Sequence, residues 1–170
     1  MKSIAMIGFM GSGKSTIGSL LARTARLSFI DLDDIAMELA EADVADVFAN
    51  QGEDVWRDWE HQALEGMADI GEQIILACGG GIIIKPENRR ILEVEFLTIY
   101  LKTSQEVLVE RLRNPQDRPL LDVPDPEAAI AKLFEERREL YEETAHTVVI
   151  TDKKTPKEIV DEILKILNEE

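Results

Sequence analysis

The run Gly8-Phe9-Met10-Gly11-Ser12-Gly13-Lys14-Ser15-Thr16 carries the most specific chemistry in this chain. It fits the pattern Gly-x-x-x-x-Gly-Lys-Ser/Thr, in which glycines turn the backbone tightly and aim successive N–H groups into an anion-binding concavity. Lys14 is spaced to reach the β- and γ-phosphates of a nucleoside triphosphate, and the Ser15 hydroxyl to meet Mg²⁺. Gly11, Ser12, Gly13 and Thr16 complete the phosphate cradle. The pattern predicts a triphosphate site and leaves open what receives the phosphoryl group.

Carboxylates follow at Asp31-Leu32-Asp33-Asp34, directly after the segment Leu27-Ser28-Phe29-Ile30. At the carboxyl end of a strand in an open α/β sheet, Asp31 and Asp33 face the ligand crevice. There they can hold a metal-bound water or accept a proton from an attacking hydroxyl. Aspartate at a helix start also serves as an N-cap, a role assigned mainly to Asp34 or Asp33. Arg57 lies three residues before Glu60, beside an apolar stripe of Trp56, Trp59, Ala63, Leu64 and Met67. Spacing alone permits a surface ion pair worth under about 1 kcal/mol, or an arginine oriented by Glu60 toward a substrate carboxylate. Gly79-Gly80-Gly81 end the third strand. Three glycines in a row predict a close approach to the backbone, with a substrate packed against N–H groups as the expected cause.

Three arginines add cationic candidates. Arg137 falls within the apolar stripe Ile130, Leu133, Phe134, Leu140 and Tyr141, whereas Arg138 points off it. A guanidinium aimed inward needs an anion, either an internal carboxylate or a ligand. Arg118 precedes Pro119 in a segment without periodicity and could close over the transferring phosphoryl group as an arginine finger does. Arg111 is either a solvated helix residue or a planar partner for a base. Cys78 reads as a small buried residue, since nothing nearby in sequence would lower its pKa. His61 and His146 read as surface or packing residues, and no Cys/His cluster is spaced for a structural metal.

A scaffold must bring these residues together. Strand-like segments fall at 3–7, 27–30, 73–78, 96–101 and 147–150, and helical ones at 14–25, 33–49, 53–70, 87–92, 104–112, 126–143 and 156–168. That alternation predicts an α/β fold with a parallel sheet sandwiched between helices. The runs Ile74-Ile75-Leu76-Ala77 and Phe96-Leu97-Thr98-Ile99-Tyr100-Leu101 are nearly continuous and apolar, as strands buried on both faces should be. Residues 33–70 hold more helix than a plain crossover needs. Residues 113–125 are proline-rich and irregular, and with Arg118 at their centre they predict a lid.

Composition narrows the class. A chain of 170 residues suits one domain with a real core, and 45% hydrophobic with 31% charged residues is typical of a globular protein. No apolar stretch approaches the roughly 20 residues that span a membrane. Met1-Lys2-Ser3 runs straight into the first strand, so no signal peptide is expected. Cys78 is the single cysteine, which precludes an internal disulfide and suggests a reducing cytoplasm. A net charge of −15 argues against nucleic acid. A few of the 19 Lys and Arg residues must therefore converge on any phosphate site.

In this order and at these intervals, the segments resemble the shikimate kinase family, within the nucleoside-monophosphate-kinase-like P-loop group. The resemblance rests on Gly8–Thr16, Phe29-Ile30-Asp31-Leu32-Asp33, Val47–Glu53, Trp56-Arg57-Asp58-Trp59-Glu60, Gly79-Gly80-Gly81, Arg118-Pro119-Leu120-Leu121 and Arg137-Arg138-Glu139-Leu140-Tyr141. It implies a three-layer α/β/α fold with strand order 2-3-1-4-5, acting as a monomer on ATP and shikimate. Ser15 would bind Mg²⁺ directly and Asp31 through water. Asp33 would orient or deprotonate the C3 hydroxyl of shikimate. Arg57 and Arg137 would grip its carboxylate, and Gly79, Gly80 and Gly81 would line the same pocket by backbone. Arg118 would be the lid arginine on the phosphates, Arg111 would stack on adenine, and Lys154 would lie in the segment completing the adenine pocket. The resemblance implies a single kinase domain over 1–170, with a substrate-binding subdomain at about 33–60 and a lid at about 113–125. Departures from the family pattern are Ala36-Met37 for Ile-Glu, Glu41 for a frequent Gly, and Trp56 for the usual Phe.

Two rivals belong beside this expectation. One is a related small-molecule P-loop kinase acting on gluconate or a nucleoside monophosphate. The other is a nucleotide-binding regulator without catalysis, against which intact Lys14, Asp33, Arg118 and Arg137 count.

Overall fold

The computed structural model describes residues 2–114 and 118–169. Residues 115–117 of the expected lid lie outside that range. Five strands form one parallel sheet: β1 (Ser3–Ile7), β2 (Ser28–Asp31), β3 (Ile74–Ala77), β4 (Phe96–Lys102) and β5 (Thr147–Ile150). Their order is β2-β3-β1-β4-β5, as the resemblance implies.

Side chains along β1 alternate between two separate apolar clusters, as period two requires. Ile4 and Met6 pack with α1 (Lys14–Ala25) and α8 (Pro156–Glu169), through Ile17, Leu21, Ile159 and Ile163. Ala5 and Ile7 face the other way, into a core shared with α4 (Glu53–Ala68), α5 (Pro86–Glu95), α6 (Gln105–Arg111) and α7 (Pro126–Thr144). The result is a sheet covered on both faces, which explains its continuous apolar strands.

The helix expected over 33–49 is two helices, α2 (Leu32–Ala40) and α3 (Val44–Gln51). Glu41 adopts a left-handed conformation, φ 52° and ψ 31°. Its N–H donates to Glu38 O at 3.2 Å, and the Ala42 N–H donates to Met37 O at 3.3 Å. That pair of bonds is a Schellman cap, which turns the chain out of α2 before α3 can start. Together α2, α3 and α4 supply the extra helical mass between β2 and β3.

Because the strands are parallel, their carboxyl ends share one edge. The phosphate loop after β1, Asp33 after β2, Gly79 after β3 and Thr151 after β5 all emerge there. The β1 position beside both β3 and β4 is where strand order reverses, the usual crevice of an open α/β sheet.

Candidate active site

The phosphate loop runs from β1 into α1 with Gly11 at φ 80° and Gly13 at φ 95°, conformations that side-chain-bearing residues rarely adopt. Gly13 is the residue before α1, so the helix N-terminus opens directly onto the loop. Lys14 Nζ donates to Gly8 O at 2.9 Å and Phe9 O at 3.0 Å, which curls the side chain over the loop. Burial lowers its pKa to about 8; Asp33 opposes this and Arg118 adds to it.

Asp31 has two partners. Its Oδ1 accepts the Asp33 N–H at 3.1 Å, capping α2, and its Oδ2 accepts the Ser15 hydroxyl at 2.6 Å. The N-cap expected at Asp34 or Asp33 is therefore Asp31. The reason is that α2 begins at Leu32 with no linker after β2. Capping orients Asp31 toward Ser15 and leaves Asp33 free to turn elsewhere. Asp33 Oδ1 is buried without a hydrogen-bond partner among the described residues. Burial raises the Asp33 carboxyl to about 6, reinforced by Glu60 and Asp31 and opposed by Lys14 and Arg57.

Arg57, Glu60 and Arg137 are 7%, 1% and 3% exposed, so the Arg57–Glu60 pair lies in the interior and is no surface bridge. Arg57 Nη1 donates to Glu60 Oε2 at 2.5 Å, while Nε and Nη2 reach Glu53 Oε1 at 3.3 and 3.1 Å. Burial works against the guanidinium charge, but the Glu60 and Glu53 carboxylates outweigh it and its pKa rises. Glu60 is pushed up by its own burial, with Arg57 and then Arg137 pulling the other way. Arg137, expected inward from periodicity alone, is inward, and its Nη1 has no partner among the described residues. A buried guanidinium with a free donor is expensive unless a ligand anion meets it.

None of Gly79, Gly80 and Gly81 has a positive φ. Their necessity is steric. A Cβ on Gly79 would sit 2.6 Å from Glu60 Oε1 and 2.8 Å from Asp33 Oδ1, and one on Gly81 would overlap the Arg57 guanidinium. The approach predicted for this turn is thus made, in part, by the chain's own charged side chains. Cys78, just before it, is buried and burial drives its thiol pKa upward, so it behaves as a packing residue.

These residues line two adjoining cavities. The larger, about 530 Å³, is walled by the phosphate loop, Asp31, Arg111, Thr151, Lys154 and Ile159. Arg111 Nη1 donates to Gly11 O at 3.0 Å, and Lys154 pairs with Glu162 on α8. The smaller, about 130 Å³, is walled by Phe48 of α3, Trp56, Arg57 and Glu60 of α4, Gly81, and Arg137 of α7. Met10, Asp33, Gly79, Gly80 and Arg118 line both. The shared wall thus holds a carboxylate of raised pKa and an arginine, between a chamber walled by the glycine loop and one lined by a buried guanidinium whose Nη1 has no partner among the described residues.

Two contributors went unread in the sequence. Glu53 precedes Arg57 by four residues, a spacing that does place it on the same helix face. Tyr141 was visible only as part of an apolar stripe, yet its hydroxyl donates to Gly80 O at 2.5 Å. His61 meets Asn88 through Nδ1, and His146 Nδ1 accepts the Thr98 N–H, packing roles in both cases. No group of three His, Cys, Asp or Glu converges as a metal cage among the described residues, and none of their helices is long and apolar enough to cross a membrane.

The shikimate kinase family model matches residues 10–168. Over 98% of its length the chain is 40% identical to a shikimate kinase of Legionella pneumophila (strain Corby), 95% of which is covered. A solved shikimate kinase from Acinetobacter baumannii in complex with shikimate superposes with a TM-score of 0.94 at 30% identity, covering 99% of this chain and 94% of that one. The shikimate kinase from Aquifex aeolicus vf5 gives a TM-score of 0.84 at 35% identity, with 98% and 96% coverage.

Proposed function

Since the chain belongs to the shikimate kinase family, we propose that its larger cavity holds ATP and its smaller one shikimate. The reaction is ATP-dependent phosphorylation of the shikimate 3-hydroxyl, giving shikimate 3-phosphate and ADP on the route to chorismate and the aromatic amino acids. The observation that carries this reading is the pair of buried atoms in the smaller cavity, Arg137 Nη1 and Asp33 Oδ1, that have no partner among the described residues. One is a free cationic donor and the other a free acceptor, which suits a ligand with a carboxylate and hydroxyls.

Phosphoryl transfer asks the protein mainly for positioning and charge stabilisation. Arg137 and Arg57 grip the shikimate carboxylate, with the Gly79–Gly81 backbone beside them. Asp33 holds the 3-hydroxyl and orients or takes its proton. Lys14 and Arg118 neutralise the phosphates from the loop and from the shared wall. Arg111 and Lys154 flank the adenine end of the larger cavity. Residues 1–170 then act as one domain, with 33–60 as the substrate-binding part and 113–125 as a lid that excludes water.

The Ser15 hydroxyl and Asp31 carboxylate suit Mg²⁺: two hard oxygens 2.6 Å apart beside the phosphate loop, with one carboxylate between them. An ion that keeps several waters and takes phosphate oxygens needs no fuller protein cage. When bound it neutralises developing phosphate charge. A cytoplasmic monomer completes the reading. A coupled ADP-release assay with shikimate, gluconate, other hydroxy acids and nucleoside monophosphates tests it. Turnover dependent on shikimate is expected, and turnover with another acceptor alone would overturn it.

A further inference from the structure

We propose that Tyr141 is a positioning residue for the acceptor, acting through the Gly80–Gly81 peptide; this rests on the assignment of the smaller cavity to shikimate. Tyr141 is fully buried, and its hydroxyl donates to Gly80 O at 2.5 Å across 61 residues of sequence. A trans peptide is planar, so anchoring the Gly80 carbonyl oxygen also sets the direction of the Gly81 N–H, which must point the opposite way. No backbone carbonyl among the described residues accepts that N–H. Gly81 lines the smaller cavity with Arg57 and Arg137. An N–H held in place and left without a backbone partner is a donor prepared for a ligand anion.

Three further observations make Tyr141 more than a packing residue. It follows Arg137 by four positions on α7, so the cation and the phenol share one helix face. Its ring stacks on Tyr100 of β4, centroids 5.1 Å apart and planes at 24°, which leaves the hydroxyl little freedom to turn away. Gly80 in turn lies against the phosphate loop: a Cβ there would be 3.2 Å from Met10 N and 3.6 Å from Gly8 O. The single Tyr141–Gly80 bond therefore links the helix that carries Arg137 to the turn separating the two cavities. Burial also pushes the phenol pKa upward, so it stays a donor across the working pH range.

The test compares Tyr141→Phe with the native protein and with Tyr100→Phe, which alters the stacked pair but leaves the Gly80 bond intact. Native turnover with shikimate is measured first; its absence would refute the cavity assignment itself. Given that turnover, Tyr141→Phe should raise KM for shikimate about fivefold or more, the scale of one lost hydrogen bond that leaves its partner buried. KM for ATP should change less than about twofold, and Tyr100→Phe should stay near native in both. An unchanged shikimate KM, equal losses for both substrates, or an equal effect of Tyr100→Phe would each overturn the proposal. Should Tyr141→Phe fail to fold, the native protein decides: the Gly81 amide resonance must shift on adding shikimate, and a stationary resonance refutes the role.

Discussion

A methyl group on Gly81 would occupy space already filled by the guanidinium of Arg57. The turn after β3 and the helix α4 are thus fitted to one another at a charged group, which two carboxylates hold in place. Gly81→Ala should displace Arg57 from Glu60 and weaken shikimate binding by about tenfold or more, the scale of a charge-assisted hydrogen bond. The larger cavity does not include Arg57 or Gly81, so ATP binding should be nearly unchanged. Titration calorimetry with each ligand checks this, and equal losses for both would contradict it.

Arg137→Ala removes the buried donor that has no partner among the described residues. Shikimate affinity should fall roughly 10- to 100-fold while ATP affinity holds. Arg137→Lys should restore little of it, because an ammonium lacks the planar fork that meets a carboxylate at two points. Shikimate-induced thermal stabilisation, measured on all three proteins, reads the difference.

Two groups with shifted pKa values should shape the pH profile. Asp33, raised to about 6, must be ionised to accept a proton or orient the hydroxyl as a carboxylate. Lys14, lowered to about 8, must be protonated to neutralise phosphate. The shikimate kcat/KM should therefore rise with pH through about 6 and fall through about 8, reporting the free enzyme. A profile flat across the lower limb would remove Asp33 ionisation from the reaction. Stability should run the other way for Asp33. Its folded pKa lies above the unfolded value of 3.8, so its contribution is full below that value and is lost as pH rises through about 6. Asp33→Asn should therefore stabilise the ligand-free protein at neutral pH by roughly 1–3 kcal/mol, and hardly at all in strong acid.

Glu41 ends α2 in a left-handed conformation that glycine adopts without steric cost. Glu41→Gly should stabilise the fold by about 0.5–1 kcal/mol, the relief at this φ being only partly offset by the greater freedom of an unfolded glycine. Denaturant melts check the gain, and kinetic constants should stay native because Glu41 lines neither cavity.

What could be read in advance followed from short-range patterns. Continuous apolar runs mark β3 and β4, and the α7 stripe alone puts Arg137 on the buried face. The break between α2 and α3 was hidden because Glu41 is neither glycine nor proline, and only its Schellman bonds reveal the turn. Asp31 as the N-cap depended on where β2 stops, a boundary one residue later than the apolar run suggests. The Tyr141–Gly80 bond joins residues far apart in sequence, which no periodicity can report. The triple glycine was legible as a close approach, but the occupants proved to include Arg57, Glu60 and Asp33, which only packing could show.

Shikimate is expected to satisfy the two buried atoms of the smaller cavity that lack a partner among the described residues. A crystal structure of the protein with shikimate and a non-hydrolysable ATP analogue tests it most directly. The shikimate carboxylate should lie within hydrogen-bond distance of Arg137 Nη1 and the 3-hydroxyl on Asp33 Oδ1, facing the γ-phosphate across the shared wall. A carboxylate bound away from Arg137, or a 3-hydroxyl turned from Asp33, would contradict it.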